Sequence, residues 1–332
     1  MESGAIVVAG GGGFIGGALV AELRRQGRRD IRAVDIKPYD EWYQRFDDVE
    51  NLVLDLNLRE NCRHACLGAH TVYNLAANMG GMGFIETNKA LCMLSVLINT
   101  HMLQSAQEAG VRKFFYSSSA CVYNADKQRD PANPGLKEDD AYPALAEDGY
   151  GWEKLFSERM CRHFREDFGL YTRVARFHNV YGPFGTWDGG REKAPAAICR
   201  KVIEAIVSGS NQIVIWGDGT RTRSFMYIDD CVTGIDLIMN SDILEPINLG
   251  SSEMVSVNQL VDIVEEIAGV KLKRHHDLDA PKGVMGRNSD NTRIRSYLNW
   301  EPSIPLRVGM EKTYAWIYDQ YMTRERARSV PA

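Results

Sequence analysis

The stretch "AIVVAGGGGFIGGALVAELRRQG", residues 5 to 27, constrains the fold more than any other. Five apolar residues stop at a run of glycines, and beyond it Phe14, Ile15, Leu19 and Leu23 recur at helical spacing, which predicts strand, tight turn and helix in succession. Gly10, Gly13 and Gly16 stand in that turn as G-x-x-G-x-x-G. Glycine there lets the backbone turn sharply and lets a pyrophosphate approach the helix N-terminus, whose free N–H groups attract anions. The next apolar run, "IRAVD", is closed by Asp35, 19 residues after Gly16. A carboxylate at that place binds the adenosine ribose hydroxyls and repels a 2′-phosphate, so the expected cofactor is NAD. Asp55, ending the following run "NLVLDL", is a candidate adenine contact and equally an ordinary turn acid.

Further apolar runs at 71 to 77, 113 to 119 and 172 to 177 alternate with helix-length segments such as Leu91 to Ala109. This alternation predicts an α/β fold, a Rossmann-type doubly wound parallel sheet with helices on both faces. After Asn179 the chain turns rich in Gly, Pro and aromatics, then offers a helix from Ala194 to Ser208. The expectation is a smaller, interleaved substrate-binding domain. Residues 1–178 with about 224–249 would form the nucleotide half, and 179–223 with 250–326 the substrate half, on the assumption that "SFMYIDD" and "PINLG" both return to the main sheet. "NADKQRDPANPG" reads as a surface loop.

Of the 332 residues 44% are hydrophobic, enough for a sizeable core, and the net charge is -5. No long basic run is present to bind nucleic acid, and no apolar run nears the roughly 20 residues a membrane helix needs. The seven cysteines are scattered without C-x-x-C pairs, which suggests thiols in a reducing compartment rather than disulfides or a metal site. A cytoplasmic protein is expected.

In "GYGWEKL", Tyr150 and Lys154 form Y-x-x-x-K near the start of a predicted helix, which puts both on one face. A lysine beside a phenol is expected to lower its pKa from about 10 toward neutrality, so that it can take a proton from an alcohol as hydride leaves. With the glycine loop, "NLAA" at 74 to 77, Asn99, "SSSACVY", "RFHNVYGP" and "RSFMYIDD", the chain resembles the extended short-chain dehydrogenase/reductase family across nearly its whole length. The resemblance implies Ser119 as hydrogen-bond partner of the substrate hydroxyl, Tyr150 as base and Lys154 as its tuner. It also implies a nucleotide-sugar substrate and a homodimer formed through the Leu91 to Ala109 and Tyr150 to Phe168 helices. The cofactor contacts expected are Gly10, Gly13, Phe14, Ile15, Gly16, Asp35, Asp55, Leu56, Ala76, Tyr150 and Lys154, with no metal.

Oxidising a sugar at C4 makes a ketone that acidifies the C–H bonds on both neighbouring carbons. In the family's 4,6-dehydratases a glutamate falls where this chain has Cys121, and in simple 4-epimerases a threonine or serine is common there. Ala120 and Cys121 supply no carboxylate, which argues against dehydration. A thiol can move protons on carbon, but inversion needs a partner on the opposite face. Lys193 is the candidate, because Pro195 suits the first turn of the next helix and leaves the lysine in the preceding loop. A buried core thiol and a solvated loop lysine are the competing readings of the same two residues.

"NMGGMGFIETN", "RFHNVYGPFGTWDGGREKAPAAICRK", "WGDGTRTRSFMYID" and "GRNSDN" narrow the resemblance to the 3,5-epimerase branch that acts on GDP-mannose. That resemblance implies Cys121 and Lys193 as the acid/base pair at C3 and C5, giving GDP-L-galactose, or GDP-L-gulose from C5 alone. It places substrate contacts at Gly80, Ser119, Asn179, Glu192, Lys193, Ala194, Lys201, Arg221, Arg223 and Arg287. The "MGGMG" loop is expected to bring backbone close to the sugar. Asn78, where an acid is expected, Asn124 in place of a proline, and "AYPALAEDG" before Tyr150 depart from the pattern. The alternative is an NAD-dependent nucleotide-sugar 4-epimerase taking a different nucleotide or hexose, with Cys121 a bland replacement for threonine.

Overall fold

The structure is a computed structural model that describes residues 4–281 and 283–329. Seven parallel strands make the central sheet: β1 (Ala5–Ala9), β2 (Ile31–Asp35), β3 (Glu50–Val53), β4 (Ala69–Asn74), β5 (Lys113–Ser119), β6 (Tyr171–Phe177) and, arriving late in the chain, β10 (Ile247–Leu249). Their order across the sheet is β10-β6-β5-β4-β1-β2-β3. Successive residues of β1 face opposite ways, as a pleated strand requires. Val7 and Ala9 pack with Val34, Phe114 and Tyr116 against helices α2 (Arg59–Cys66), α5 (Ser95–Glu108) and α6 (Asp148–Phe168). Ile6 and Val8 pack with Ala33, Tyr73 and Phe115 on the other face, against α1 (Phe14–Arg25) and α8 (Ile228–Met239). Each such side chain contributes roughly 1.5–3 kcal/mol on full burial, which is why a sheet covered on both sides reads as continuous apolar runs.

The second core face continues without a break into α7 (Ala194–Ser208), α9 (Val257–Ala268) and the long C-terminal α11 (Leu306–Ser329), through Ile198, Val202, Leu260, Val264 and Ile317. These helices carry a small sheet in which β9 (Thr222–Tyr227) pairs with β7 (Asn179–Tyr181), β11 (Met254–Ser256) and β13 (Gly286–Arg287). A separate parallel pair joins β8 (Gln212–Trp216) to β12 (Lys273–Asp277). Three sequence expectations are corrected here. "PINLG" joins the main sheet beside β6, but "SFMYIDD" does not: its strand is the centre of the small sheet, and only the helix after Ile228 returns to the large one. The segment Leu91 to Ala109 is not one helix, for α4 (Lys89–Met93) stops at Leu94 before α5 begins. The turn-rich stretch 124 to 135 is not purely a surface loop. Gln128 is 1% exposed, and the Gln128 carbonyl accepts the Met285 amide, tying the loop to β13.

Strand order reverses direction of travel between β1 and β4, and the loops leaving their C-terminal ends diverge there. Such a switch point opens a crevice at one edge of the sheet, and the candidate site lies in it.

Candidate active site

The crevice is a cavity of about 730 Å³. Its walls include every expected cofactor residue: Gly10, Gly13, Phe14, Ile15, Gly16, Asp35, Asp55, Leu56, Ala76, Tyr150 and Lys154. Gly13 caps α1 with an extended backbone, and a Cβ on it would meet only the Gly10 carbonyl at 3.1 Å and Asp35 Oδ2 at 3.8 Å. That side-chain-free turn, beside a carboxylate and at a helix N-terminus, is the cradle a dinucleotide needs. Gly10 has φ +84°, and a Cβ on it would lie 3.0 Å from the Ala76 amide nitrogen, so a side chain is disfavoured by both conformation and space. Asp35 Oδ1 accepts the Lys37 amide at 3.1 Å, which fixes its carboxylate at the strand end. Asp55 stands two residues beyond the end of β3 and accepts from Asn57, its loop closing that end of the cavity. These residues fit NAD.

At the far end of the cavity Ser119, Tyr150 and Lys154 converge. Ser119 is the last residue of β5, and its Oγ accepts the Cys121 amide at 3.2 Å, starting the 3-10 turn Ala120–Val122. Tyr150 and Lys154 lie one turn apart on α6. The Lys154 ammonium donates to the Ser117 carbonyl at 3.1 Å and stands 5.5 Å from the Tyr150 ring. The phenol hydrogen-bonds Ser119, yet burial, with Cys121 and Glu153 beside it, pushes it well above 10. Burial lowers Lys154, against the pull of Glu153. In the protein alone desolvation sets the direction at the phenol, and any positive charge beside it acts in the opposite sense.

Cys121 shares a buried cluster with Tyr150, Ile85 and Cys92 and is 6% exposed. Its Sγ accepts from Arg287 Nη1 at 3.4 Å. Lys193 lines the cavity in the residue before α7, whose first turn carries Pro195 as the sequence requires. Burial lowers the Lys193 amine, with Cys121 opposing and Arg287 adding to the effect, so lysine and thiol lie within electrostatic reach of each other. The glycine loop serves a purpose the sequence did not show. Gly81 donates its amide to the Arg191 carbonyl at 3.0 Å, and a Cβ on it would overlap the Glu192 carbonyl, so the close backbone approach is to the Lys193 loop. Asn78 Oδ1 also accepts from Arg191 at 3.3 Å.

Of the other residues expected to touch substrate, Gly80 lines the cavity. Asn179 donates to the Ser224 carbonyl at 3.2 Å, and Ala194 opens α7 beside Lys193. Arg223 and Arg287 are register partners on β9 and β13, and Arg223 donates to the Val284 carbonyl at 2.7 Å. Arg221 bonds the Gly283 carbonyl at 2.7 Å. Burial and the neighbouring arginines push Arg223 down to about 9. Glu192 instead faces Arg200 at 2.9 Å and the Gly190 amide at 2.7 Å, and Lys201 donates to the Val214 carbonyl at 2.8 Å under the Trp216 ring. The structure thus spends both of these side chains on protein partners.

Sequence reasoning missed Glu147 and Gln128. Glu147 precedes α6 and accepts from Arg287 Nη2 at 2.8 Å, while Gln128 Oε1 accepts from Arg287 Nε at 2.7 Å. The only signal was "AEDG", noted as a departure and not as a site. Among the described residues no group of three or more His, Cys, Asp or Glu side chains could hold a metal ion, and no helix is long and apolar enough to cross a membrane.

Residues 6–250 match the NAD dependent epimerase/dehydratase family. The chain is 44% identical over 324 residues to the GDP-mannose 3,5-epimerase of Arabidopsis thaliana, covering 97% of this chain and 84% of that one. It is similar in structure to a UDP-glucose 4-epimerase of Thermotoga maritima solved with UDP-glucose, at 23% identity and a TM-score of 0.83, over 96% of this chain and 99% of that one. MoeE5, solved in complex with UDP-glucose and NAD, is 28% identical with a TM-score of 0.79 and covers 96% of this chain and 100% of its own.

Proposed function

The chain belongs to the NAD-dependent epimerase/dehydratase family, and on that premise we propose that it inverts C3 and C5 of GDP-mannose, giving GDP-L-galactose, or GDP-L-gulose where C5 alone is inverted. NAD, held along the glycine loop and Asp35, would supply reversible hydride acceptance at C4 and, in its oxidised form, a positive charge within the cavity. Tyr150 takes the C4 hydroxyl proton, Ser119 holds that oxygen, and Lys154, anchored on the Ser117 carbonyl, fixes the local field. The resulting ketone acidifies the hydrogens on C3 and C5, and Cys121 and Lys193 exchange them on opposite faces. Arg221 and Arg223 neutralise the sugar diphosphate, with Arg287, itself paired with Glu147, adding to the local field. Their mutual repulsion, visible in the low position of Arg223, is relieved by an anion.

One observation carries the reading: Cys121 packs against Tyr150, while Lys193, remote in sequence, lines the cavity with Ser119, Tyr150 and Lys154 within electrostatic reach of the thiol. Incubation with GDP-mannose followed by NMR of the product tests it. GDP-L-galactose is expected, whereas GDP-talose, the product of C4 inversion alone, would identify a simple 4-epimerase.

The partner in solution is a second copy. Leu91, Met93, Leu94, Leu97, Trp152 and Phe156 leave large apolar side chains exposed along α4, α5 and α6, the surface expected to pair, and sedimentation as a dimer checks it. Seven free cysteines suit a reducing, cytoplasmic setting.

A further inference from the structure

Cys121 is gripped by three other residues. Its carbonyl accepts the Glu147 amide at 2.8 Å, and a side chain on Gly151 would overlap that same carbonyl, so the turn carrying the thiol is fixed to the start of α6. Arg287 donates Nη1 to the sulfur at 3.4 Å and Nη2 to Glu147 Oε2 at 2.8 Å. The Glu147 charge in turn raises the thiol, and the thiol lowers the carboxyl. One guanidinium therefore faces two acids, one on each of its terminal nitrogens. It offsets one negative charge, and a carboxyl is the stronger acid by about four units, so the charge settles on Glu147 and the proton on sulfur.

We propose that Glu147 is a positioning residue that keeps Cys121 a thiol in the resting enzyme and so fixes the order of proton transfers: Lys193 acts first as base with Cys121 as acid, and the roles reverse in the second inversion. The order of transfers rests on the 3,5-epimerase reading, whereas the state of the thiol does not.

Burial pushes the Cys121 thiol up to about 11, with Glu147 adding to the rise and Arg287 opposing it. Burial also works against the Glu147 charge, but Arg287, the thiol and Arg223 outweigh it and hold the carboxyl below its usual range. The Lys193 amine is lowered, again by burial first. The remaining charged or titratable groups near the sulfur are Arg223 on β9, Tyr150 and Lys154 on α6, and Cys92 on α4. Of all these neighbours Glu147 is the carboxylate that shares the Arg287 guanidinium with the thiol.

The protons balance over two inversions. In the first, a C–H bond next to the ketone breaks, its proton passes to the Lys193 amine, and its electron pair becomes the enolate. The S–H bond then breaks, and its proton forms the new C–H bond on the opposite face. Lys193 is left as ammonium and Cys121 as thiolate. The C3 and C5 hydrogens of mannose start on one face, so the ring turns over between the inversions; the thiolate then takes the proton from the other carbon and the ammonium gives its own, restoring the starting state. Because Glu147 stays ionised, the thiolate sits beside a second anion under a single guanidinium, which makes it a stronger base than a free thiolate.

The test uses the NAD-loaded enzyme without substrate, following the ultraviolet absorbance of the thiolate against pH, with Cys121→Ala subtracted as the blank. Wild-type Cys121 is expected to stay a thiol at neutral pH and to titrate near 11. Glu147→Gln should lower that titration by about one unit or more, a tenfold rise in thiolate at a given pH, while Glu147→Asp keeps the charge and should restore the high value. A Glu147→Gln titration equal to wild type would overturn the proposal. So would a wild-type titration below the free-thiol value of about 8.5, a result that stands even if the Gln variant does not fold. In turnover of GDP-mannose, the alkaline limb of kcat for Glu147→Gln should move down with the thiol while KM is unchanged. A limb that stays in place would overturn the order of transfers and leave the thiol measurement to be judged separately.

Discussion

Gly81→Ala should disable the proton-transfer half of the site and leave the nucleotide half alone. Gly81 has φ −67° and ψ 176°, ordinary extended backbone, so alanine meets no conformational obstacle and would even gain about 0.4–1 kcal/mol from a stiffer unfolded chain. The obstacle is space. A Cβ there would overlap the Glu192 carbonyl oxygen and lie 3.3 Å from its carbon, and both are backbone atoms that cannot swing aside. To restore ordinary contact near 3.5 Å the two loops must part by about 1 Å, at an overpacking cost of about 1–3 kcal/mol. The net loss of stability is therefore about 1–2 kcal/mol, a few degrees in Tm. Lys193 is the next residue after Glu192 and moves with it. A misplacement of that size costs about 100-fold where a group must meet a reacting atom. Gly83→Ala is the control in the same segment. Its Cβ lies 3.3 Å from the half-exposed Trp216 ring, which can turn away, and alanine suits the helix Met82–Thr87. The assay is solvent deuterium exchange into GDP-mannose, set beside NAD affinity by calorimetry. Gly81→Ala should lose about two decades of exchange with NAD affinity unchanged, and Gly83→Ala should lose neither. Wild-type exchange in Gly81→Ala would refute the claim that this glycine positions the lysine loop.

Cys121→Ala should cut exchange at C3 and C5 by about 10²–10⁴-fold, measured by NMR, while cofactor reduction on mixing with GDP-mannose persists, because Tyr150 and Lys154 are untouched. The pH profile of kcat should rise as the lowered Lys193 amine loses its proton and fall as Cys121 ionises near 11. His178, buried and held neutral with its pKa pushed down to about 3 by desolvation, should destabilise the fold in acid. Below about 6.5 the unfolded chain binds a proton the native one refuses, so stability falls by up to about 1.4 kcal/mol per pH unit from 6.5 toward 3. Denaturant unfolding between pH 4 and 7 should show that slope, and His178→Gln should flatten it.

The central sheet was legible because its signals are local. Glycines, apolar runs and the acid at Asp35 each report on a turn or a strand within a few residues, and the glycines and Asp35 line the same cavity. The small sheet was not, because β9 is an apolar strand whose partners lie far away along the chain, and nothing in "SFMYIDD" distinguishes a central strand of one sheet from that of another. Tyr150 and Lys154 could be placed on one helix face by spacing alone. Their electrostatics could not, since the raising of the phenol comes first from burial, which the sequence hides. Glu147 and Gln128 escaped notice for a related reason. Each looks like an ordinary loop residue until Arg287, more than a hundred positions later, folds back to meet both. Glu192 and Lys201, expected at the substrate from the family resemblance, also have protein partners, Arg200 and the Val214 carbonyl, that no local sequence signal announces.

The central claim is that this chain moves protons on two carbons around a transiently oxidised third. GDP-mannose carrying deuterium at C4 should be turned over in ordinary water, and GDP-mannose of natural abundance in deuterated water, each product then being read by NMR. The account predicts that the C4 label is retained, because hydride leaves and returns within one closed site, and that C3 and C5 both acquire solvent deuterium. Product with both carbons unlabelled, or with the C4 deuterium washed out, would contradict it.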